Sequence, residues 1–287
     1  MSAHERLDIA RWIHEFPLSR LRAEARDYVV QRRQELPQEY ADDQAVEKHI
    51  QLMCPKWEIV VGPKSVAVNE QLKEEALASG RYPGSRFATD VVIWAKGESP
   101  NRSFTKIGGL PYRPSGSPWP REVTGKPQRF IAQLSFVDSR DLVPRLPGDI
   151  LLIFGDDDAL LGEPERLLFE WWPIASHSLV SEMPAVDAPL APFYAVLHRT
   201  EDWDSAIFEG TKIGGVPKYI QEQPSTSGAF IGAIGSISVA TDAPHPFVNV
   251  AEPRGWPHEN DLMIGDMGSL YLFVGRDGNV QGLSQCY

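Results

Sequence analysis

Acidic side chains are concentrated in one short stretch of the second half of the sequence. Three consecutive aspartates directly follow a predicted strand that ends at Phe154, and two glutamates come shortly after them. Carboxylates at the end of a strand can hold Mg²⁺. An exposed acidic loop is the commoner structure, and such a loop can bind lysine and arginine side chains of another protein. The residues in this stretch are Asp156, Asp157, Asp158, Glu163 and Glu165.

A second acidic segment contains an aromatic side chain. Glu201, Asp202 and Asp204 surround Trp203. A tryptophan within an acidic rim is typical of an interface anchor, whereas most of the eight tryptophans of the chain must lie in the core. Both positions are open for Trp203, and all four residues are candidates for contact with a partner.

The common catalytic motifs are missing from the sequence. It contains no G-x-S-x-G, H-E-x-x-H, P-C-x-x-C or G-x-G-x-x-G pattern. The seven histidines include no pair at metal-ligand spacing, and the two cysteines lie far apart. We therefore assign no catalytic residue, no metal site and no cofactor, and expect binding rather than catalysis. Two alternatives stay open: a metal-dependent enzyme that uses Asp156, Asp157 and Asp158, and an adaptor that binds peptides.

One heptapeptide occurs twice. Residues 105–111 and 211–217 are identical at six of seven positions. Apolar segments follow each copy in the same order, at 130–134 and 151–154 after the first and at 230–234 and 270–273 after the second. The sequence therefore predicts an internal duplication, with repeat units at about 105–155 and 211–275.

Each copy contains a Gly-Gly-x-Pro turn. Glycine allows backbone conformations that other residues avoid, and proline fixes the direction in which the chain leaves the turn. A phosphate-binding loop is the alternative, with Lys106 or Lys212 beside the phosphate, but in the GxxxxGK[ST] loop the lysine follows the glycines, whereas here it precedes them. We interpret these residues as structural turns: Gly108, Gly109, Pro111, Gly214, Gly215 and Pro217.

Charge is divided unequally along the chain. The net charge is −11, but residues 1–137 carry 20 Lys and Arg against 17 Asp and Glu, whereas residues 138–287 carry 8 against 22. The second half therefore has a formal charge of −14. Such a charge repels nucleic acid and attracts a basic partner, although it also serves solubility alone. We expect no nucleic acid among the partners.

The apolar pattern predicts an α+β protein. Residues 3–53 have helical periodicity, with one break at Pro17 and a third short helix at about 43–53, and residues 66–80 are a further candidate helix. Short strands separated by Gly, Pro, Asp and Ser follow, as in antiparallel or mixed sheets. The predicted strands are 57–61, 87–96, 130–136, 150–154, 167–172, 193–198, 230–239 and 270–274. These elements divide the chain into a helical segment with one strand, 1–84, and a β-rich domain, 85–287.

The sequence shows no signal for export or membrane insertion. No apolar run approaches the roughly 20 residues of a membrane helix, and the first residues lack the basic and apolar regions of a signal peptide. We expect a cytoplasmic protein with no membrane partner.

Several motifs together carry a family resemblance. The heptapeptide with Tyr112, the pair Trp119-Pro120, the tripeptide Gly125-Lys126-Pro127, and the segments 130–134 and 265–273 resemble the YwqG-like family of bacterial proteins. The resemblance covers roughly residues 85–287 and implies an α+β fold with an internal repeat. It supplies no catalytic residues.

The resemblance also implies a biological context. YwqG-like proteins occur with bacterial toxins, and this chain is similar to the immunity proteins that neutralise nuclease toxins delivered by type VI secretion. A nuclease that binds DNA has a cationic surface, which an acidic protein can occupy in place of phosphates. The expected partner is therefore a toxin with a basic nuclease domain, and the residues of the two acidic segments are its candidate contacts.

Overall fold

The computed structural model describes most of the chain. The described residues are 4, 6–35, 63–81, 84–143, 145–175, 178–186, 189–204, 207–225, 228–237 and 262–287. The predicted helix at about 43–53 and the predicted strand at 57–61 lie outside these residues.

Three helices precede the sheet in the described part of the chain. Helix α1 spans Ile9–Glu15, α2 spans Leu18–Glu35 and α3 spans Pro63–Ala78. The break predicted at Pro17 is confirmed, since this residue lies between α1 and α2, and α3 covers most of the predicted helix at 66–80. Gln71 of α3 joins the helices, because its side-chain oxygen accepts a hydrogen bond from the backbone N–H of Leu18 at 2.7 Å.

The described strands form one sheet in which all neighbours are antiparallel. The strands are β1 Arg86–Lys96, β2 Lys106–Ile107, β3 Arg129–Ser135, β4 Ile150–Gly155, β5 Leu168–Trp172, β6 Phe193–Trp203, β7 Lys212–Gly214, β8 Ala229–Gly235, β9 Ser269–Val274 and β10 Val280–Gln285. Their order in the sheet is β10-β9-β8-β7-β1-β6-β2-β3-β4-β5. A short helix, α4 (Asp157–Leu161), and a 3₁₀ turn, Pro164–Arg166, connect β4 to β5.

The two longest strands meet at the centre of the sheet. Strand β1 pairs with β6 along its whole length, from Arg86 opposite Trp203 to Lys96 opposite Phe193. On their outer sides, β1 pairs with β7 and β6 pairs with β2. Each short strand of the repeated heptapeptide is thus bonded to the long strand that is more distant in sequence.

Local details also correspond between the two sides of this centre. Strands β3 and β8 each carry an irregularity in register one residue after a phenylalanine, Phe130 in β3 and Phe230 in β8. Phe130 packs on Phe154, and Phe230 packs on Phe273, in both cases with ring centroids 5.7 Å apart and an interplanar angle of 60°.

The sheet curves around the main hydrophobic core. Alternation along β1 shows the two faces, since Val92 and Trp94 point into this core, whereas Val91 and Ile93 pack against Val66 of α3. The edge strands approach each other, and the indole N–H of Trp171 in β5 donates to the carbonyl of Gly278 before β10 at 3.2 Å. The result is a mostly antiparallel β protein with N-terminal helices, in agreement with the α+β prediction.

Across the residues that the structure describes, no helix has the length and apolar character needed to cross a membrane.

Candidate functional site

The acidic stretch after β4 is an ordered turn of helix. Asp156 is the N-cap of α4, and its side chain accepts a hydrogen bond from the backbone N–H of Ala159 at 2.9 Å. A carboxylate in this position satisfies one of the free N–H groups of the first helical turn. The three consecutive aspartates are therefore held in fixed positions at the end of a buried strand.

Two arginines hold these carboxylates. The guanidinium of Arg166 contacts Asp156, lies 2.8 Å from Asp158 and lies 3.0 Å from Glu163. Hydrogen bonding to Glu163 and the neighbouring aspartates raises the pKa of Arg166 above its usual value, so the arginine stays charged. Arg129, whose side chain is almost buried, pairs with Asp157 at 2.6 Å. The guanidinium groups of Arg166 and Arg129 thus hold these carboxylates in place.

Negative charge remains at the surface after this pairing. Residues 156–166 contain five carboxylates and one cation, and Arg129 adds a second cation from β3. The side chains of Asp157 and Asp158 are 69% and 66% exposed, and Glu165 is exposed as well. We call the side chains of residues 156–166 the α4 acidic surface.

An open cleft of about 520 Å³ lies beside the α4 acidic surface. Gly155 and the three aspartates line it. Four carboxylates and two cations line the cleft, together with small and apolar side chains, so its lining is polar and mainly acidic. Its remaining lining residues are Glu122, Lys126, Pro127, Arg129, Ala185 and Val186.

The second acidic segment lies at the end of β6, outside this cleft. Asp202 is fully buried, pairs with Lys212 at 2.7 Å and accepts hydrogen bonds from the backbone N–H groups of Phe208 and Val216 at 2.9 and 3.0 Å. Trp203 is only 4% exposed and belongs to the core. The expected placement of both side chains at an interface is therefore corrected: they are used inside the protein.

The other two residues of that segment remain near the surface. Glu201 is half-buried and lies 3.6 Å from Arg86 across the β1–β6 pair. Asp204 is exposed and accepts a hydrogen bond from the backbone N–H of Ser85 at 2.9 Å. They are separated from the α4 acidic surface, so the two predicted segments do not form one site.

The repeated glycines lie in tight turns. Gly108, Gly109, Gly214 and Gly215 all have positive φ, between 57° and 71°. A Cβ on Gly108 would lie 2.5 Å from the carbonyl oxygen of Leu190, and one on Gly215 would lie 2.1 Å from a carboxylate oxygen of Asp202. Close approach and backbone conformation both require glycine here. Pro111 is buried and Pro217 is half-buried after these turns.

The lysines that precede these turns point into the protein. Lys106 and Lys212 are each 1% exposed. The ammonium group of Lys106 donates to the carbonyl of Leu110 at 3.0 Å, and that of Lys212 is paired with Asp202. Burial lowers the pKa of Lys106 to about 8 and also lowers the pKa of Lys212, although Asp202 opposes that shift. Neither ammonium group is presented to a phosphate in solution.

The described ranges contain no cluster of potential metal ligands. No three or more His, Cys, Asp or Glu residues among them converge as ligands for an ion.

Sequence reasoning did not assign several residues of the cleft. Glu122 and Lys126 belong to a hairpin, residues 121–127, and Arg129 begins β3. The sequence does contain a signal for the hairpin. Gly125 lies three residues after Glu122, which is the position of the left-handed residue in a hairpin with a three-residue loop. The role of Arg129 as partner of Asp157 depends on the pairing of β3 with β4, which the sequence alone does not display.

Comparison with known proteins finds a family model that matches part of the chain. A family model described as a domain of unknown function (DUF1963) matches residues 105–167. The matched segment runs from the first Gly-Gly turn through the hairpin and β4 to the α4 acidic surface. A search of curated proteins finds no match.

Proposed function

We propose that this protein is an immunity protein that binds a basic nuclease toxin, of the kind delivered by type VI secretion, and neutralises it by occlusion without chemistry of its own. The observation that carries the proposal is the α4 acidic surface beside the open cleft, with Asp157 and Asp158 both about two-thirds exposed. The resemblance to YwqG-like proteins supplies the context.

The carboxylates of the α4 acidic surface are placed so that they can occupy a nuclease surface in place of DNA phosphates. A nuclease presents lysines and arginines where the DNA backbone binds. Carboxylates that are already fixed by Arg166 and Arg129 need little ordering when a partner binds, which lowers the entropic cost of association. Their field accelerates encounter with a cationic protein, and this acceleration decreases as salt rises.

The formal charge of the second half overstates its anionic surface. Arginines from the first half of the chain pair with some of its carboxylates, Arg113 with Glu170 and Arg129 with Asp157. The proposal therefore assigns electrostatic steering to the α4 acidic surface rather than to residues 138–287 as a whole.

We also infer that the two sides of the sheet arose by duplication of a YwqG-like unit. The repeated heptapeptide, the matching order of strands on both sides of β1 and β6, and the two equivalent phenylalanine pairs support this inference. The cytoplasm is the proposed compartment, because a toxin that degrades DNA acts there.

Charge reversal tests the proposed function. The partner to test is an inactivated nuclease domain, which we expect the adjacent reading frame to encode. We expect Asp157→Lys with Asp158→Lys to slow association at least about tenfold at low salt and to weaken the salt dependence. The matched control is Glu74→Lys with Glu222→Lys, which changes the charge equally at exposed positions on α3 and after β7. The control should associate within about twofold of the wild-type rate.

A second readout is protection of cells that express the active toxin domain. Loss of protection in the Asp157/Asp158 variant, with protection kept in the control, would support occlusion through this surface. The absence of any complex between the wild-type protein and the toxin domain would refute the proposed function. Equal association rates for the two variants would refute the role of the α4 acidic surface.

A further inference from the structure

The hairpin that borders the cleft, residues 121–127, is rigidly built. Arg121 and Pro127 form an antiparallel bridge, and the backbone N–H of Glu122 donates to the carbonyl of Lys126 at 2.9 Å. The N–H of Gly125 donates back to the carbonyl of Glu122 at 2.9 Å, and Gly125 has a φ of 86°. These are the features of a three-residue loop that ends in a left-handed glycine.

Side chains add further order to the same hairpin. The guanidinium of Arg121 donates to the carbonyl of Gly125 at 2.6 Å, and the hydroxyl of Thr124 donates to the carboxylate of Glu122 at 2.9 Å. The hairpin is therefore held in one shape before any partner arrives.

Val123 lies at the tip of this hairpin and is fully exposed to solvent. It occupies the second position of the turn closed by Glu122 and Gly125, where proline is favoured and most other residues are accepted. Turn chemistry therefore permits valine there but does not explain why this residue is apolar. Packing does not explain it either, since the side chain contributes nothing to the core.

The position of the hairpin indicates what Val123 can contact. Glu122, Lys126 and Pro127 line the cleft together with the three aspartates from Asp156 to Asp158. A protein that docks in this cleft therefore meets the hairpin as well as the aspartates. An apolar side chain on a rigid support, bordered by charged groups, has the arrangement of an interface anchor with a polar rim.

We propose that residues 121–127 are a recognition hairpin whose Val123 inserts into an apolar hollow on the basic partner protein. This inference rests on the proposed function, because it concerns the same partner and the same face. The two features have separate tasks: the aspartates steer the cationic partner to this face, and Val123 holds the partner once the surfaces meet. A neutral apolar contact affects dissociation more than association, whereas exposed charges affect association.

Surface-binding kinetics with the same inactivated nuclease domain test this division. We expect Val123→Ala to accelerate dissociation about tenfold through lost apolar burial, and the neutral polar substitution Val123→Asn to accelerate it more, each with an unchanged salt dependence of association. The matched control is Val30, an exposed valine on α2, since Val30→Ala should leave both rate constants unchanged. Thermal unfolding of each variant verifies that the fold is kept.

The outcomes separate the two proposals. Faster dissociation for both Val123 variants, with wild-type thermal unfolding, supports the recognition hairpin. If the Asp157/Asp158 reversal slows association but both Val123 variants dissociate like the wild type, the hairpin inference is wrong and the proposed function stands. If the wild-type protein forms no complex, the proposed function fails and the hairpin inference fails with it.

Discussion

At the scale of single residues, the repeated turns require glycine for two reasons: its backbone adopts positive φ, and it leaves space where a Cβ would collide. Two substitutions separate these reasons. Gly80 and Gly215 have nearly the same φ, 71° and 68°, but a Cβ on Gly80 would meet no atom within 4 Å, whereas one on Gly215 would lie 2.1 Å from Asp202. We expect Gly80→Ala to lower the free energy of unfolding by about 1 kcal/mol through backbone strain alone.

Gly215→Ala adds a collision with the buried carboxylate to the same strain. We expect a loss at least about 2 kcal/mol larger than for Gly80→Ala, because Asp202 must move away from Lys212 and the N–H of Val216. Urea denaturation of both variants measures the difference. Equal losses would show that the turn relaxes around the added methyl group and that close packing is unimportant there.

The buried ammonium group of Lys106 predicts a pH dependence. Its pKa is about 8 in the folded protein against 10.5 for a free lysine. Between these two pH values the folded protein has released this proton while the unfolded chain still binds it, so the free energy of unfolding rises with pH. The full gain across this range is about 3 kcal/mol.

Lys106→Met removes this titration. The difference in stability between the wild type and this variant isolates the effect of Lys106, since the other groups titrate alike in both proteins. We expect the stability of the wild type relative to Lys106→Met to increase from below pH 8 to pH 10.5, the range between the two pKa values. Urea unfolding at several pH values measures this. A constant difference between the two proteins would mean that the ammonium group is solvated in the folded state.

At the scale of elements, the cap of α4 can be separated from its charge. Asp156 both accepts from the N–H of Ala159 and contributes a carboxylate to Arg166. Asparagine is as good an N-cap as aspartate, so Asp156→Asn should keep α4 in place, whereas Asp156→Ala should lower the free energy of unfolding by about 1 kcal/mol. Thermal unfolding compares the two variants. Identical curves would show that Arg166, rather than the cap, orders this turn.

The elements themselves were largely readable from the sequence, because apolar periodicity reports burial directly. The segments 87–96, 150–154 and 270–274 each coincide with a strand to within one residue at either end. The strand predicted at 193–198 continues to Trp203. This extension explains the error on Asp202, because consecutive acidic residues at a strand end are typical of an exposed loop. Here β6 instead places the carboxylate of Asp202 against the second Gly-Gly turn.

Other features depend on contacts between distant segments and left no local signal. Strands β2 and β7 are two and three residues long and lie within the repeated heptapeptide, so their apolar pattern is too short to recognise. The pairing of Asp157 with Arg129 and of Asp202 with Lys212 also depends on which segments the fold brings together. A charge count over one part of a sequence therefore overestimates the anionic surface of that part wherever cations from another part pair with its carboxylates.

At the scale of the whole molecule, the pairing at the centre of the sheet makes the two sides interdependent. Strand β1 bonds to β7, and β6 bonds to β2, so each short strand of the heptapeptide depends on a long strand from the other part of the chain. The main core likewise combines Leu134 and Leu151 of one side with Ile234 and Leu272 of the other. A chain organised in this way should unfold as one cooperative unit.

A fragment tests this interdependence. Residues 189–287 contain β6 to β10 but lack β1, so in isolation β6 would lose its longest neighbour and β7 would lose its pairing across the centre. We expect this fragment to show no cooperative thermal transition by circular dichroism, whereas the complete chain shows a single transition by both circular dichroism and tryptophan fluorescence. Addition of a second fragment, residues 1–188, should restore the transition, because it supplies β1 and the matching half of the core. If the 189–287 fragment folded cooperatively, each side would be an independently folding unit, and the central pairing of β1 with β6 would only join the two.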